Sequence, residues 1–311
     1  MPVDTRITLH KLEVFRAVVE SGSVGKTAEA FHVAQPVITA HLRSLETRLG
    51  NKLFSRDGRH LKLTSEGEAV YTWAIDLYTR TKELSRYLDG LADGTSGSVS
   101  VAASMSVGSY LLPPALSELR RKWPNIEVTL NIYHSDLAID ATETGHSDFA
   151  VMIAESPPSN PGLTGEPLGL EPLILVAPPS GAPHSNEIDL AELARLDFVE
   201  LPEGFLRRSL NEGHLANVGL ESRRIVMELG HPEAMKRAVQ NGMGVALMFY
   251  TSVADELESG RLRAVTVRGL DVTVPIYLVY RKGRNFPAAQ QTVVKAISEY
   301  IERRPKPLTT R

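Results

Sequence analysis

The 311-residue sequence contains no cysteine. That absence excludes a disulfide scaffold, a thiolate zinc site, an iron–sulfur cluster and a cysteine nucleophile, and it suits a reducing compartment. No run approaches the roughly 18 apolar residues needed to span a bilayer. The start, Met1-Pro2-Val3-Asp4-Thr5-Arg6, lacks the apolar stretch of a secretory signal. The expectation is a cytoplasmic protein with no membrane partner. Common catalytic signatures are missing too: there is no Gly-x-Ser-x-Gly elbow, no Walker-type phosphate loop and no His-Glu-x-x-His, and Gly242-Met243-Gly244 is a lone glycine pair. Neither a catalytic residue nor a metal or cofactor site is predicted, and an enzyme is not expected.

What is present is ordinary for a globular chain, with 42% hydrophobic and 23% charged residues. The length predicts two or three domains. The net charge of −3 conceals an uneven distribution. Residues 1–64 carry ten Lys/Arg against six Asp/Glu, together with four of the nine histidines. Residues 65–94 hold three basic against six acidic side chains, so the positive charge sits at the N-terminus.

Leu12, Phe15, Val18 and Val19 are spaced for a helix over 9–21, which Ser21-Gly22-Ser23 ends. A short second helix is expected over about 24–32, with Ala28, Ala30 and Phe31 as candidate buried positions. A third begins near Gln35-Pro36, where proline is favoured at a first helical position, and stops at Gly50. With Ile38 at 0° and about 100° per residue, Leu42, Leu45 and Leu49 fall within about 40° of it, a narrow buried stripe. Gln35, Thr39 and Arg43 fall near about 60°, 100° and 140°, with Pro36 and Ala40 opposite the stripe. That outward face is short, polar and basic, and suits a major groove about 12 Å wide. An ordinary solvated helix face would read the same way.

Residues 51–64 read as a strand, an Asp57-Gly58 turn and a return strand. Lys52, Arg56, Arg59 and Lys62 make this hairpin a basic wing suited to phosphates. From Ser65 to Gly94 there is no proline, and Val70, Leu77, Leu84 and Leu91 recur every seven residues beside Ala74 and Leu88. Such a seam predicts a rod of about 45 Å that pairs with a second copy and presents two recognition helices to two half-sites. Gly94-Thr95-Ser96-Gly97-Ser98 reads as a hinge. Beyond it strands (99–103, 126–132, 149–153, 173–177, 198–201, 224–229, 245–249, 276–280) alternate with helices (109–123, 189–196, 205–218, 232–241, 287–303). Two α/β lobes with a ligand cleft between them are the expected outcome.

Leu9 through Gly67 closely resembles the LysR-type transcriptional regulators. The resemblance is carried by Ala28, Phe31, Val33-Ala34-Gln35-Pro36, Leu45-Glu46, Leu49-Gly50, Leu53-Phe54-Ser55-Arg56, Arg59, Leu63-Thr64 and Glu66-Gly67. It continues through Ser104 to Tyr110-Leu111-Leu112-Pro113, Trp123-Pro124, Gly230-His231-Pro232-Glu233-Ala234 and Gly242–Ala246, leaning toward the branch of carbon-fixation and cysteine-metabolism regulators. It implies an α + α/β chain: a winged helix-turn-helix over 1–65, a dimerising linker helix over 66–95, and a two-lobed effector domain of periplasmic-binding-protein type. Lobe one would comprise 96–170 plus 271–303, and lobe two 171–270. It further implies a dimer of dimers on an interrupted palindrome of double-stranded DNA near a promoter, a small-molecule effector, and contact with RNA polymerase. Carried over by position, Gln35, Pro36, Thr39 and Arg43 would lie in or beside the major groove, Lys26 near the backbone, and Arg56 and Arg59 on wing phosphates. Three departures stand out: Ala34 where Ser or Thr commonly caps, Gly25 where Thr or Ser often touches phosphate, and Ala40 where a basic residue is common.

For the cleft, Ser104 and Ser106 follow a strand and open a helix, where free N–H groups favour an anion; simple capping would explain them equally. By family position His134, Ser135 and His231 would face the cleft, although a lone histidine is more often structural. Relatives often carry Gly-Ser-Gly-Thr-Arg where this chain has Glu203-Gly204-Phe205-Leu206-Arg207. If that segment lines the cleft, Phe205 narrows it and favours a compact or aromatic anion over a small phosphorylated sugar. An enzyme or an exported solute-binding protein could use the same two lobes, but neither explains residues 1–94.

Overall fold

The computed structural model describes residues 7–57, 60–89 and 96–304, leaving undescribed the side chains of 56, 57, 60 and several positions from 76 to 89. Two compact units divide at Leu88/Asp89. In the first, α1 (Leu9–Ser21), α2 (Val24–Ala30) and α3 (Gln35–Leu49) form a tri-helical cluster. Thr8 and Ser23 cap α1 and α2 with their hydroxyls, whereas Ala34 leaves α3 without a side-chain cap. Gly22 and Gly50 close α1 and α3 at φ of 64° and 72°, as glycine allows. Leu12, Val14, Phe15, Val18, Ala28, Ile38, Leu42 and Leu45 make the core, so Val14 takes the fully buried place expected for Val19. Ala30 is exposed at the end of α2.

Strands β1 (Phe54–Asp57) and β2 (His60–Leu63) pair antiparallel as the wing. The turn residues Gly58 and Arg59 lie outside the described residues. The long helix α4 (Ser65–Asp89) follows directly. Thr64 joins the parts: its hydroxyl donates to the Lys52 carbonyl at 2.7 Å and accepts from Gly67 N at 3.0 Å. Glu46 holds the same corner through Leu53 N at 3.0 Å and Lys52 Nζ at 2.8 Å. Burial opposes its ionisation, but those bonds hold the carboxyl below its usual range. The expected seam divides: Ala74 is buried in the core of this unit and Val70 and Leu77 pack against it, while Leu84 is 57% exposed. Leu91 lies outside the described residues.

The second unit begins with β3 (Ser96–Ser104), so Ser96, Gly97 and Ser98 are strand and not hinge. In-register parallel pairing with Asn125, Ile126 and Glu127 overrides their small-residue character. The helix expected over 109–123 opens earlier, with a π-helical turn (Val107–Leu111) before α5 (Leu112–Lys122). Then follow β4 (Asn125–Tyr133), α6 (Ser135–Glu143), β5 (Phe149–Ile153), β6 (Leu163–Ala177), β7 (Glu187–Ile188), α7 (Leu190–Leu193), β8 (Asp197–Glu200), α8 (Leu206–Asn217), β9 (Arg224–Glu228), α9 (Pro232–Gln240), β10 (Ala246–Phe249), α10 (Ala254–Glu258), β11 (Arg263–Val267), β12 (Val272–Arg281) and α11 (Ala288–Arg303). The main sheet runs β4-β3-β5-β12-β6-β11-β7, with β10 also on β6 and a parallel β8-β9 pair beside it. Both lobes grow from the antiparallel β6–β12 pair, which carries chain from one to the other. Alternation sorts the faces: Val99, Val101 and Ala103 of β3 enter one core while Ala102 enters the cluster that holds Ala138 and Ala141 of α6.

A Cβ on Gly67 would stand 2.1 Å from the Leu53 carbonyl oxygen, whereas one on Gly25 would meet only Ser23 Oγ at 3.7 Å. Gly67→Ala should therefore lower stability by at least about 1–3 kcal/mol. Gly25→Ala, inside a helix, should be neutral or stabilising by up to about 1 kcal/mol. Denaturant unfolding of the two variants checks the contrast.

Candidate functional sites: a recognition helix and an interlobe cavity

The buried stripe of α3 is Ile38, Leu42 and Leu45. Its opposite face carries Gln35, Pro36, Ala40 and Arg43 exposed and Thr39 half-buried, and these five line one shallow depression. Thr39 donates its hydroxyl to the Gln35 carbonyl at 3.1 Å, which leaves its methyl and a lone pair outward. Lys26 is exposed at the start of α2, behind the Ser23 cap. Lys52 is less free than its wing position suggests, because it pairs with Glu46 at 2.8 Å. The backbone of Arg56 lies in β1, but its side chain and all of Arg59 lie outside the description.

In the second unit a cavity of about 760 Å³ opens between the lobes. From lobe one it is lined by Ser104 and Ser106 at the end of β3, His134 and Ser135 at the start of α6, and the loop 154–160. From lobe two come Gly204 to Arg207 at the start of α8, with Leu201, Pro232 and Phe249. Ser104, Ser106, His134, Ser135 and Phe205 thus meet at one place. Ser106 makes no side-chain capping bond. His231 does not line the cavity: it is exposed and caps α9, its Nδ1 accepting from Glu233 N at 3.1 Å. A ring that must satisfy a helix N-terminus is turned to its own backbone, which is the structural role a lone histidine more often takes.

The residue that the sequence reading passed over is Arg207. Its Nη2 donates to the Leu247 carbonyl at 2.8 Å and its guanidinium lies 4.7 Å over the Phe249 ring. Nε and Nη1 are buried with no hydrogen-bond partner. Burial pushes its pKa down to about 10, against the opposing pull of Glu200 and Tyr110, so it remains protonated at neutral pH. Buried donors left unpaired cost about 1–3 kcal/mol. The signal was available: Arg207 keeps the family's arginine while the two small hydroxyl residues before it are gone.

Three contacts cross the cleft. His134 meets Phe205 edge-on, centroids 4.7 Å apart. Glu155 pairs with His214 Nε2 at 2.5 Å. Tyr110, carried by the π-helical turn, donates its hydroxyl to Glu233 Oε2 at 3.0 Å, with Lys236 Nζ 4.6 Å over its ring. Lys236 is buried between Glu233 at 2.9 Å and Glu256 at 3.0 Å. Burial first, then the Glu233 bond, pushes the Tyr110 phenol well above its ordinary value. Among the described residues no cluster of three or more metal-ligating side chains could hold a metal ion, and no helix is long and apolar enough to cross a membrane.

A polar, basic helix face on a winged tri-helical unit, joined in one chain to a two-lobed α/β unit with a ligand-sized cavity, defines a DNA-binding regulator with a sensing domain. The sequence matches the bacterial regulatory helix-turn-helix protein, lysR family, over residues 9–68 and the LysR substrate binding domain over residues 92–302. The chain belongs to the LysR family of transcriptional regulators and is not an enzyme. It is 30% identical over 285 residues to a probable RuBisCO transcriptional regulator of Cyanidioschyzon merolae, covering 90% of this chain and 94% of that protein. That name agrees with the expected lean toward carbon-fixation regulators. A full-length OxyR variant from Pseudomonas aeruginosa shares the fold at a TM-score of 0.71 and 20% identity, over 96% of each chain. Full-length CbnR complexed with its target DNA does so at 0.65 and 24%, over 94% of this chain and all of that one.

The Tyr110–Glu233 bond should be worth about 1 kcal/mol in a double-mutant cycle of Tyr110→Phe and Glu233→Gln. The Lys236 hydrogen bond holds Glu233 below its ordinary value of 4.5. Glu233's contribution is therefore present above that pH and is lost as the pH falls through the folded value. Denaturant unfolding at neutral and acidic pH checks both the coupling and its sign.

Proposed function

We propose that α3 enters the major groove with Gln35, Thr39 and Arg43 toward base edges and Pro36 beside them. Lys26 and the wing arginines Arg56 and Arg59 bind phosphates. The protein works in the cytoplasm as a dimer, through α4, and as a dimer of dimers across an interrupted palindrome near a promoter. A small anion binds in the interlobe cavity, with Ser104, Ser106, His134, Ser135, Phe205 and Arg207 around it. It favours one arrangement of the lobes and so alters promoter binding or DNA bending, and with them the access or contact of RNA polymerase. Residues 96–170 with 271–303 act as one lobe against 171–270.

One observation carries this reading: Gln35, Pro36, Ala40 and Arg43 are exposed and Thr39 half-buried along one depression of α3, with no acidic side chain among them and away from the stripe that anchors the helix. Only small and polar groups stand where a duplex must approach. Ala34 and Ala40, in place of the cap and the basic residue common in relatives, give this helix a base preference of its own.

Fluorescence titration against the upstream intergenic DNA and a scrambled control, at two salt concentrations, tests the proposal. Binding should be tight, sequence-dependent and weakened by salt. Arg43→Glu should abolish the preference for the specific site. Lys26→Ala and Arg59→Ala should weaken both DNAs alike and reduce the salt slope by about 1 each. An unchanged slope in Arg59→Ala removes the wing from the interface, and no binding at low salt overturns the reading.

A further inference from the structure

Resting on the reading of the interlobe cavity as the effector site, we infer that the effector is a monocarboxylate with an apolar body, its charge held by Arg207, and that sugar phosphates are excluded. The cavity's charge inventory carries the argument. Its lining holds one cation, Arg207, against two carboxylates, Asp136 and Glu155. Glu155 is engaged by His214 at 2.5 Å, which leaves Asp136 as the carboxylate of the lining without an ion pair among the described residues. Arg207 has Nη2 committed to the Leu247 carbonyl and leaves Nε and Nη1 buried without partners. A charged donor in that condition lacks an acceptor that the protein itself does not supply.

One singly charged acceptor satisfies the site. The start of α8 adds to its pull, since Phe205 at the N-cap offers no side-chain bond to the helix's first amides. A phosphate ester brings a second charge, and the lining offers no second Lys or Arg to meet it while Asp136 repels it. Beside serine hydroxyls and Asn160, much of the wall is hydrocarbon: Met152, Ile153, Leu201, Phe205, Leu210 and Phe249 line the space. Phe205, already edge-on to His134, presents a ring for an aromatic or branched aliphatic body to pack against. Gly204 and Leu206, standing where relatives carry two small hydroxyl residues, leave the start of α8 without those two donors.

The test uses the full-length protein and named probes. Benzoate and cyclohexanecarboxylate at about 10 mM should raise the Tm of the effector unit by about 2–5 °C, while benzamide, glucose 6-phosphate and inorganic phosphate leave it unchanged. Arg207→Met should melt at or above the wild type without ligand and lose the benzoate shift, and Arg207→Lys should keep part of it. Should Arg207→Met fold poorly, calorimetric titration of the wild type decides: benzamide must bind at least about tenfold more weakly than benzoate. A larger shift with glucose 6-phosphate overturns the ligand class and leaves the cavity as the effector site. A benzoate shift that survives in Arg207→Met removes Arg207 from its role. No shift with any probe overturns the inference, while the DNA titration judges the regulator separately.

Discussion

The antiparallel pairing of β6 with β12 is the constraint on which the sensing unit depends. These two strands run through both lobes, so each lobe's sheet is completed by backbone that belongs equally to the other. At the crossing Glu171 is fully buried, its Oε1 accepting from Thr251 N and Oγ1 at 2.7 Å each and its Oε2 paired with Arg304 at 2.5 Å. A buried carboxylate is tolerated when hydrogen bonds and an opposite charge meet it in this way. The pin joins β6, the turn after β10 and the end of α11, and the cleft opens on one side of it.

The cavity wall is less settled than the pin. Asp148 and Arg284, or Glu200 with Asn211 and Arg223, are buried charges with their partners built in. Arg207 differs because no carboxylate among the described residues pairs with it and two of its three guanidinium nitrogens are left without a partner inside the protein. A fold that keeps such a group carries a standing cost in stability. Tyr110 and Lys236 lie close by, in a bridge between lobes, so the electrostatics of the ligand site and of the lobe contact are shared.

The first unit was almost wholly legible in the sequence. Helical spacing, Ser23, Pro36, Gly22 and Gly50 mark its helices to within a residue or two, because local capping and one buried stripe decide each of them. The α/β unit was legible where strands alternate, as at 126–132, or are apolar throughout, as at 149–153. It was not at 163–172, where Gly165, Pro167, Gly169 and Pro172 break the apolar pattern yet the segment forms ten of the 15 residues of β6. There the partner strand decides, accommodating Leu168 as a bulge where the register shifts between Ile276 and Tyr277. Helix α6 was missed and the π-helical turn was invisible, since no local pattern distinguishes one from an α-turn. Of the cleft residues, those at strand ends were found by position. His231 was misplaced because spacing cannot tell which way a helix-capping ring turns, and Arg207 was overlooked because its distinction lies in missing partners.

Helix α4 is rooted in the DNA-binding unit through Ala74, with Val70 and Leu77 packed beside it. Its 25 residues span about 37 Å at 1.5 Å each. Tied at its base to the core that carries α3, it behaves as a lever. A tilt of about 5° applied at one end displaces the other by about 3 Å, close to the rise of a single base pair.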